Sequence, residues 1–158
     1  MGASGSIQHQ HSSNLCLKDN IYISYDENDR CGEIIHDELI RLGVNIHKGR
    51  GVIDDYNGNG NEIESFTNLA DGIMNKSACI IICISEKTVC SFYQAIEINS
   101  AMESNKQIIY IMTDANFTPL NQPYLNGLVK TSRWLPAYDD TTIDAALIFI
   151  VGGEFFPY

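Results

Sequence analysis

Positive charge is scarce in this chain: 10 Lys and Arg face 20 Asp and Glu, for a formal net charge of -10. A field of that sign repels polyanions and excludes general nucleic-acid binding, so any anionic ligand must be held by local groups. Long apolar runs are missing too. No stretch approaches the roughly 20 residues that span a bilayer, and the N-terminus lacks the charged start and apolar run of a secretory leader. The five cysteines are odd in number, and Cys79 and Cys83 lie inside an apolar run with no second pair or nearby histidines at zinc spacing. They read as small, reduced core residues in a cytoplasmic setting, and no metal site is expected.

What remains is an ordinary globular mixture, 44 % hydrophobic and 19 % charged over 158 residues. That is the size of one domain with a real core. The opening MGASGSIQHQHSSN is polar, so residues 1–18 are expected to be a disordered tail and residues 19–158 the domain. Met1, Gly2 and Ser6 also fit the N-myristoylation pattern, and Cys16 offers a second acyl site. A single acyl chain anchors marginally without a polybasic stretch, so a membrane partner is expected only if Gly2 is acylated.

The segment IDDYNGNGNEIE, residues 53–64, imitates a calcium loop: Asp55, Asn57, Asn59 and Gly60 match the opening of an EF-hand. The match then fails. The apolar eighth position holds Glu62 and the bidentate glutamate of the twelfth is Phe66. A polar loop ending in a helix start is the better reading.

Along the chain, NIYIS (residues 20–24) reads as a buried strand. Ile34, Ile35, Leu39, Ile40 and Leu42 recur at helical spacing from Asp29 to Leu42, with Gly43 as the stop. Val44 to His47 is a weak strand, and Glu62 to Asn75 a helix sided by Ile63, Phe66, Leu69 or Ala70, and Ile73. ACIIICI (78–84) is apolar on both faces, as a central parallel strand must be. A single helix from Thr88 to Glu103, the strand QIIYIM (107–112), a short strand in KTSRW near Trp134 and a helix in DDTTIDAALIFIVGG complete the series. The alternation predicts an α/β fold: a doubly wound, flavodoxin-like three-layer αβα domain on a five-stranded parallel sheet. Ligands of such folds gather at the C-terminal strand ends, here Ser24, Tyr25 and Asp26, the loop after His47, and the residues after Ser85.

The order of these pieces resembles the TIR (Toll/interleukin receptor) domain. NIYISYDEND is similar to its first box, SACIIICIS to its central strand end, SFYQAIEINSAMES to the W-x-x-x-E helix, and RWLP to the tryptophan near its last strand. The resemblance covers residues 20–152. It implies one of two activities. In the enzymatic branch a single carboxylate cleaves NAD+ as substrate, with no cofactor, releasing nicotinamide and ADP-ribose or cyclic ADP-ribose. In the other branch the domain is a non-catalytic adaptor. Either implies homotypic TIR-TIR assembly, as dimer or filament, in innate-immune signal transduction.

Under the enzymatic resemblance Glu97 is the catalytic carboxylate and Tyr93 replaces the tryptophan. Four residues apart, they share a helical face and can project into one pocket. The bland alternatives are a solvated glutamate and a packing aromatic. Nicotinamide leaves as a neutral ring and needs no general acid, so one carboxylate beside the ribose suffices. Tyr25, Asp26, Arg30, Lys48 and Asp54 are the further substrate contacts expected, with Asp54 and Asp55 meeting the ribose or a neighbouring subunit. The chain departs from some enzymatic relatives at Asp26 and Glu27, where basic residues would hold the pyrophosphate; Arg30, Lys48 and Arg50 are the nearest replacements.

Overall fold

The structure, a computed structural model, describes residues 20–48, 62–117, 125 and 134–152. The N-terminal tail, residues 49–61 with Arg50, Asp54, Asp55 and most of the calcium-like loop, and the side chains of Glu62 and Ile63 lie outside the described residues. The elements, in order, are β1 (Asn20–Ser24), α1 (Arg30–Arg41), β2 (Asn45–Lys48), α2 (Glu62–Asn75), β3 (Cys79–Ile84), α3 (Glu86–Cys90), α4 (Phe92–Glu103), β4 (Gln107–Met112), β5 (Trp134–Pro136) and α5 (Asp140–Gly152).

All strand pairs are parallel, in the order β2-β1-β3-β4-β5. The chain steps from β1 outward to β2, then returns to the other side of β1 for β3. The topological switch point therefore lies between β1 and β3, as in a flavodoxin-like αβα domain. Every residue of β3 is buried, because this strand has a neighbour on each side and a helical layer on each face. Each isoleucine buried there contributes about 1.5–3 kcal/mol.

The sheet separates two apolar cores. Ile21, Ile23, Tyr25, Cys79, Ile81 and Cys83 face α1 and α5, where Ile35, Leu39, Ile143, Leu147 and Ile150 meet them. The alternate positions Tyr22, Ile80, Ile82, Ile84, Tyr110 and Met112 face the other layer, with Met74 of α2 and Ile98 and Ala101 of α4. The buried stripe of α2 is Phe66, Ala70 and Met74, at four-residue spacing. Leu69 is exposed and Ile73 half-buried, so the face is rotated from the one the apolar count suggested.

One local expectation is corrected. The single helix over Thr88 to Glu103 is two, because Ser91 adopts an extended backbone (φ -90°, ψ 110°) and caps a new helix by accepting from the Gln94 amide. The last strand is described from Trp134 to Pro136, paired with Tyr110 to Met112; the rest of KTSRW, residues 130–133, lies outside the described residues.

Two glycines carry geometry. Gly43, at φ +90°, takes the left-handed position that ends α1. Gly32 lets α1 press onto the strand end: an added Cβ would lie 2.7 Å from Cβ of Tyr25 and 3.2 Å from Cγ of Asp29. Gly32→Ala is therefore expected to destabilise the domain by about 1–3 kcal/mol, read as a lower denaturation midpoint in urea; an unchanged midpoint would show that α1 shifts without cost.

Candidate functional site

The period-two alternation of β1 decides which residues meet. Tyr22 and Ser24 point to the α4 side, Ile23 and Tyr25 to the α1 side. On the α4 side they find Glu97, which is 1 % exposed. The Tyr22 hydroxyl donates to Oε2 of Glu97. The Ser24 hydroxyl donates to Oε1 at 2.7 Å. A carboxylate costs several kcal/mol to bury unless hydrogen bonds replace its water; here each oxygen receives a hydroxyl. Burial, then the charge and the hydrogen bond of Glu97, push the Tyr22 phenol well above its ordinary range. It stays protonated and stays a donor.

Gln94, three residues before Glu97, fixes α4 across the switch point. Its Nε2 donates to the Cys83 carbonyl at 2.6 Å and to the Ser24 carbonyl at 3.4 Å, one from each diverging strand. Its buried Oε1 has no hydrogen-bond partner among the described residues. A second tie holds the rim from the α1 side. Asp29 caps α1 through the Gly32 amide at 3.0 Å and accepts from Oγ1 of Thr113, just past β4, at 2.6 Å. Burial raises the Asp29 pKa, and these two hydrogen bonds oppose the rise.

A cavity of about 510 Å³ opens at the C-terminal strand ends, lined chiefly by Asp26, Glu27, Glu86, Lys87, Phe92 and Tyr93. That volume suits a small organic ligand. Its wall is raised by α3, whose Ser85 accepts from the Lys87 amide while the Ser85 amide donates to Oγ1 of Thr88. Three carboxyl groups face one ammonium, with an aromatic side formed by Tyr93 against Phe92 (ring centroids 5.6 Å) and Phe66 (5.1 Å). Anions are disfavoured there and a planar cation is favoured.

The residues expected at the site are divided by this geometry. Asp26 and Tyr93 line one cavity, and Glu97 lies one helical turn, about 5.4 Å, below Tyr93. Tyr25 and Lys48 sit on the opposite sheet face, since Lys48 is in register with Ile23; the Lys48 ammonium lies 5.3 Å from the Tyr25 ring centroid. The Tyr25 ring also contacts His36, and its buried hydroxyl has no hydrogen-bond partner among the described residues. Arg30 is exposed at the first position of α1, away from the cavity lining, and Asp54 lies outside the described residues. Sequence reasoning named Ser24 as a rim residue but missed Tyr22, Ser24 and Gln94 as partners of this site. The signal was present: Tyr22 and Ser24 share one strand face, and Gln94 and Glu97 are three apart on one helix. Among the described residues no cluster of His, Cys, Asp and Glu is arranged to hold a metal ion, and no helix is long and apolar enough to cross a membrane.

A family model described as the TIR-like domain of the Thoeris protein ThsB matches residues 22–117, more than half of the chain. The matched span starts at Tyr22 and includes Ser24, Tyr93, Gln94 and Glu97. No curated protein matches the chain.

The buried phenols and thiols set an alkaline limit. Tyr22 and Tyr25 are raised above the ordinary tyrosine value and Cys79 is pushed up to about 12, each chiefly by burial. The unfolded chain therefore releases these protons first, at about pH 8.5 for thiols and about pH 10 for phenols. Stability is complete below those values and declines as pH rises through them. Urea midpoints measured from pH 7 to 11 are expected to fall from about pH 9 upward, with a shallower fall in Tyr22→Phe.

Proposed function

This chain belongs to the ThsB TIR-like domain family, and from that premise we propose that it cleaves NAD+ at the nicotinamide glycosidic bond. The observation that carries the reading is Glu97, a carboxylate held by two hydroxyls of β1, one helical turn along α4 from Tyr93, which lines an acidic and aromatic cavity. The cationic nicotinamide ring would rest on Tyr93 in the field of Asp26, Glu27 and Glu86. As the bond from C1′ to the ring nitrogen breaks, its electron pair returns to nicotinamide, which leaves neutral. Positive charge grows on the ribose, and Glu97 stabilises it. Water adding at C1′ gives ADP-ribose and a proton; attack by the adenine of the same molecule gives the cyclic product.

Glu97 is 1 % exposed, so turnover on this reading requires the rim around Tyr93, Phe92 and Phe66 to move. Assembly of TIR domains, as a dimer or filament in the cytoplasm, would supply that movement and couple product formation to signalling. The same burial favours a second reading, in which Glu97 is a structural carboxylate and the domain is a non-catalytic scaffold that signals by self-association.

Glu97→Gln separates the two, because it preserves shape and an acceptor oxygen while removing charge. Purified protein at high concentration should release nicotinamide from NAD+, followed by chromatography, and the variant should release it at least about 100-fold more slowly with its melting curve kept as the folding control. No release by the wild type, or equal release by the variant, defeats the enzymatic reading.

A further inference from the structure

The pair of hydroxyls on Glu97 has a use beyond packing. We propose that Tyr22 and Ser24 are positioning residues for the reaction at Glu97, fixing the direction in which its carboxylate presents charge to the ribose. The inference rests on Glu97 being the reacting carboxylate, as proposed above.

Both donors come from alternate positions of β1, a strand paired on one side by β2 and on the other by β3. They reach the carboxylate from a platform that cannot turn without breaking two ladders. Each takes a different oxygen, Oε2 for Tyr22 and Oε1 for Ser24, so together they fix both the rotation and the tilt of the group. A single donor would fix only one of these. Both are neutral, and therefore orient the anion without cancelling the negative field that a growing cation needs. They occupy two of the roughly four acceptor positions of a carboxylate. Gln94 completes the frame by tying α4 to the carbonyl of Ser24 itself, so that the helix bearing Glu97 and the strand bearing its donors keep one distance. A group held this way loses little by reorganisation during the reaction.

The alternative use of the same contacts is to make burial of Glu97 tolerable and nothing more. Kinetics distinguish the two, since a positioning role acts on the chemical step and not on substrate capture. The experiment uses the full chain as wild type, Tyr22→Phe, Ser24→Ala and Glu97→Gln. NAD+ turnover is measured for kcat and KM, and the Glu97 carboxyl carbon is followed by NMR in the first three, assigned by its loss in the fourth. Each hydroxyl deletion is expected to lower kcat about tenfold with KM within about twofold, and to shift the Glu97 carboxyl resonance. Unchanged kcat in both deletions, a loss confined to KM, or an unmoved resonance overturns the inference while leaving the activity standing. A silent wild type overturns the activity and this inference together. If one deletion fails to fold, judged by circular dichroism, the other decides.

Discussion

A carboxylate placed where water does not reach is the constraint around which this domain is arranged. Glu97 lies beneath the ends of the central strands, and its ionised form is tolerable only if donors arrive from the protein. Two arrive from β1. That requirement fixes more than two side chains. It demands a tyrosine and a serine at alternate positions of a strand whose other buried residues are isoleucines, and a helix pressed close enough for Glu97 to reach them. The apolar neighbours Ile80, Ile82 and Ile98 supply the packing force. The hydroxyls turn that force into one orientation.

The doubly wound topology explains why this arrangement stands where it does. Between β1 and β3 the connections diverge, so no crossover covers the strand ends and a crevice is left open. Main-chain carbonyls at such a place lose their ladder partners. Gln94 meets two of them with one amide, and Thr88 turns its hydroxyl toward the Cys83 carbonyl, whereas the Ile84 carbonyl keeps a main-chain partner in the Thr113 amide at 3.0 Å. Polar side chains thus appear in the core at the strand ends, where the sheet stops satisfying itself. The crevice is bounded on one side by α3, and on the α1 side Asp29 is tied to Thr113.

Much of the fold was legible because burial on both faces leaves an unmistakable record. CIIICI can be little else than a central strand, and Gln107 to Met112 repeats the pattern one crossover later. Asp29 and Gly43 mark the ends of α1 by capping chemistry. The break at Ser91 was harder. Residues 86–103 keep a helix-compatible composition throughout, and the interruption depends on two serines, Ser85 and Ser91, each capping its own helix. Local hydroxyl capping competes with helix continuation without altering the apolar pattern. That Asp26 and Tyr93 would share one cavity at the strand ends was legible from their places in the alternation, and the placing of Tyr25 was less so. Tyr25 is the instructive case. It follows Ser24 in the chain, yet alternation sends it to the other side of the sheet, where it packs on Gly32, His36 and Lys48. Proximity in sequence to a strand end says nothing of the face until the register is counted.

Electrostatics then limits how a dinucleotide can lie. On the enzymatic reading the nicotinamide end carries the positive charge and the pyrophosphate the negative. Among the described residues of the cavity lining, Asp26, Glu27 and Glu86 are joined by Lys87 as the single cation. A pyrophosphate inside that lining would meet more repulsion than attraction, while the pyridinium ring would gain from both the carboxylates and the Tyr93 face. On that reading the ring would lie in the cavity and the diphosphate beyond it. Lys48 cannot serve from its observed place, since the sheet stands between its ammonium and Glu97. In a chain with net charge -10, cations of a second subunit are the natural complement. On the enzymatic reading, a pocket that held one half of its substrate and repelled the other would gain from assembly, which would link the acidic character of the rim to the proposed self-association.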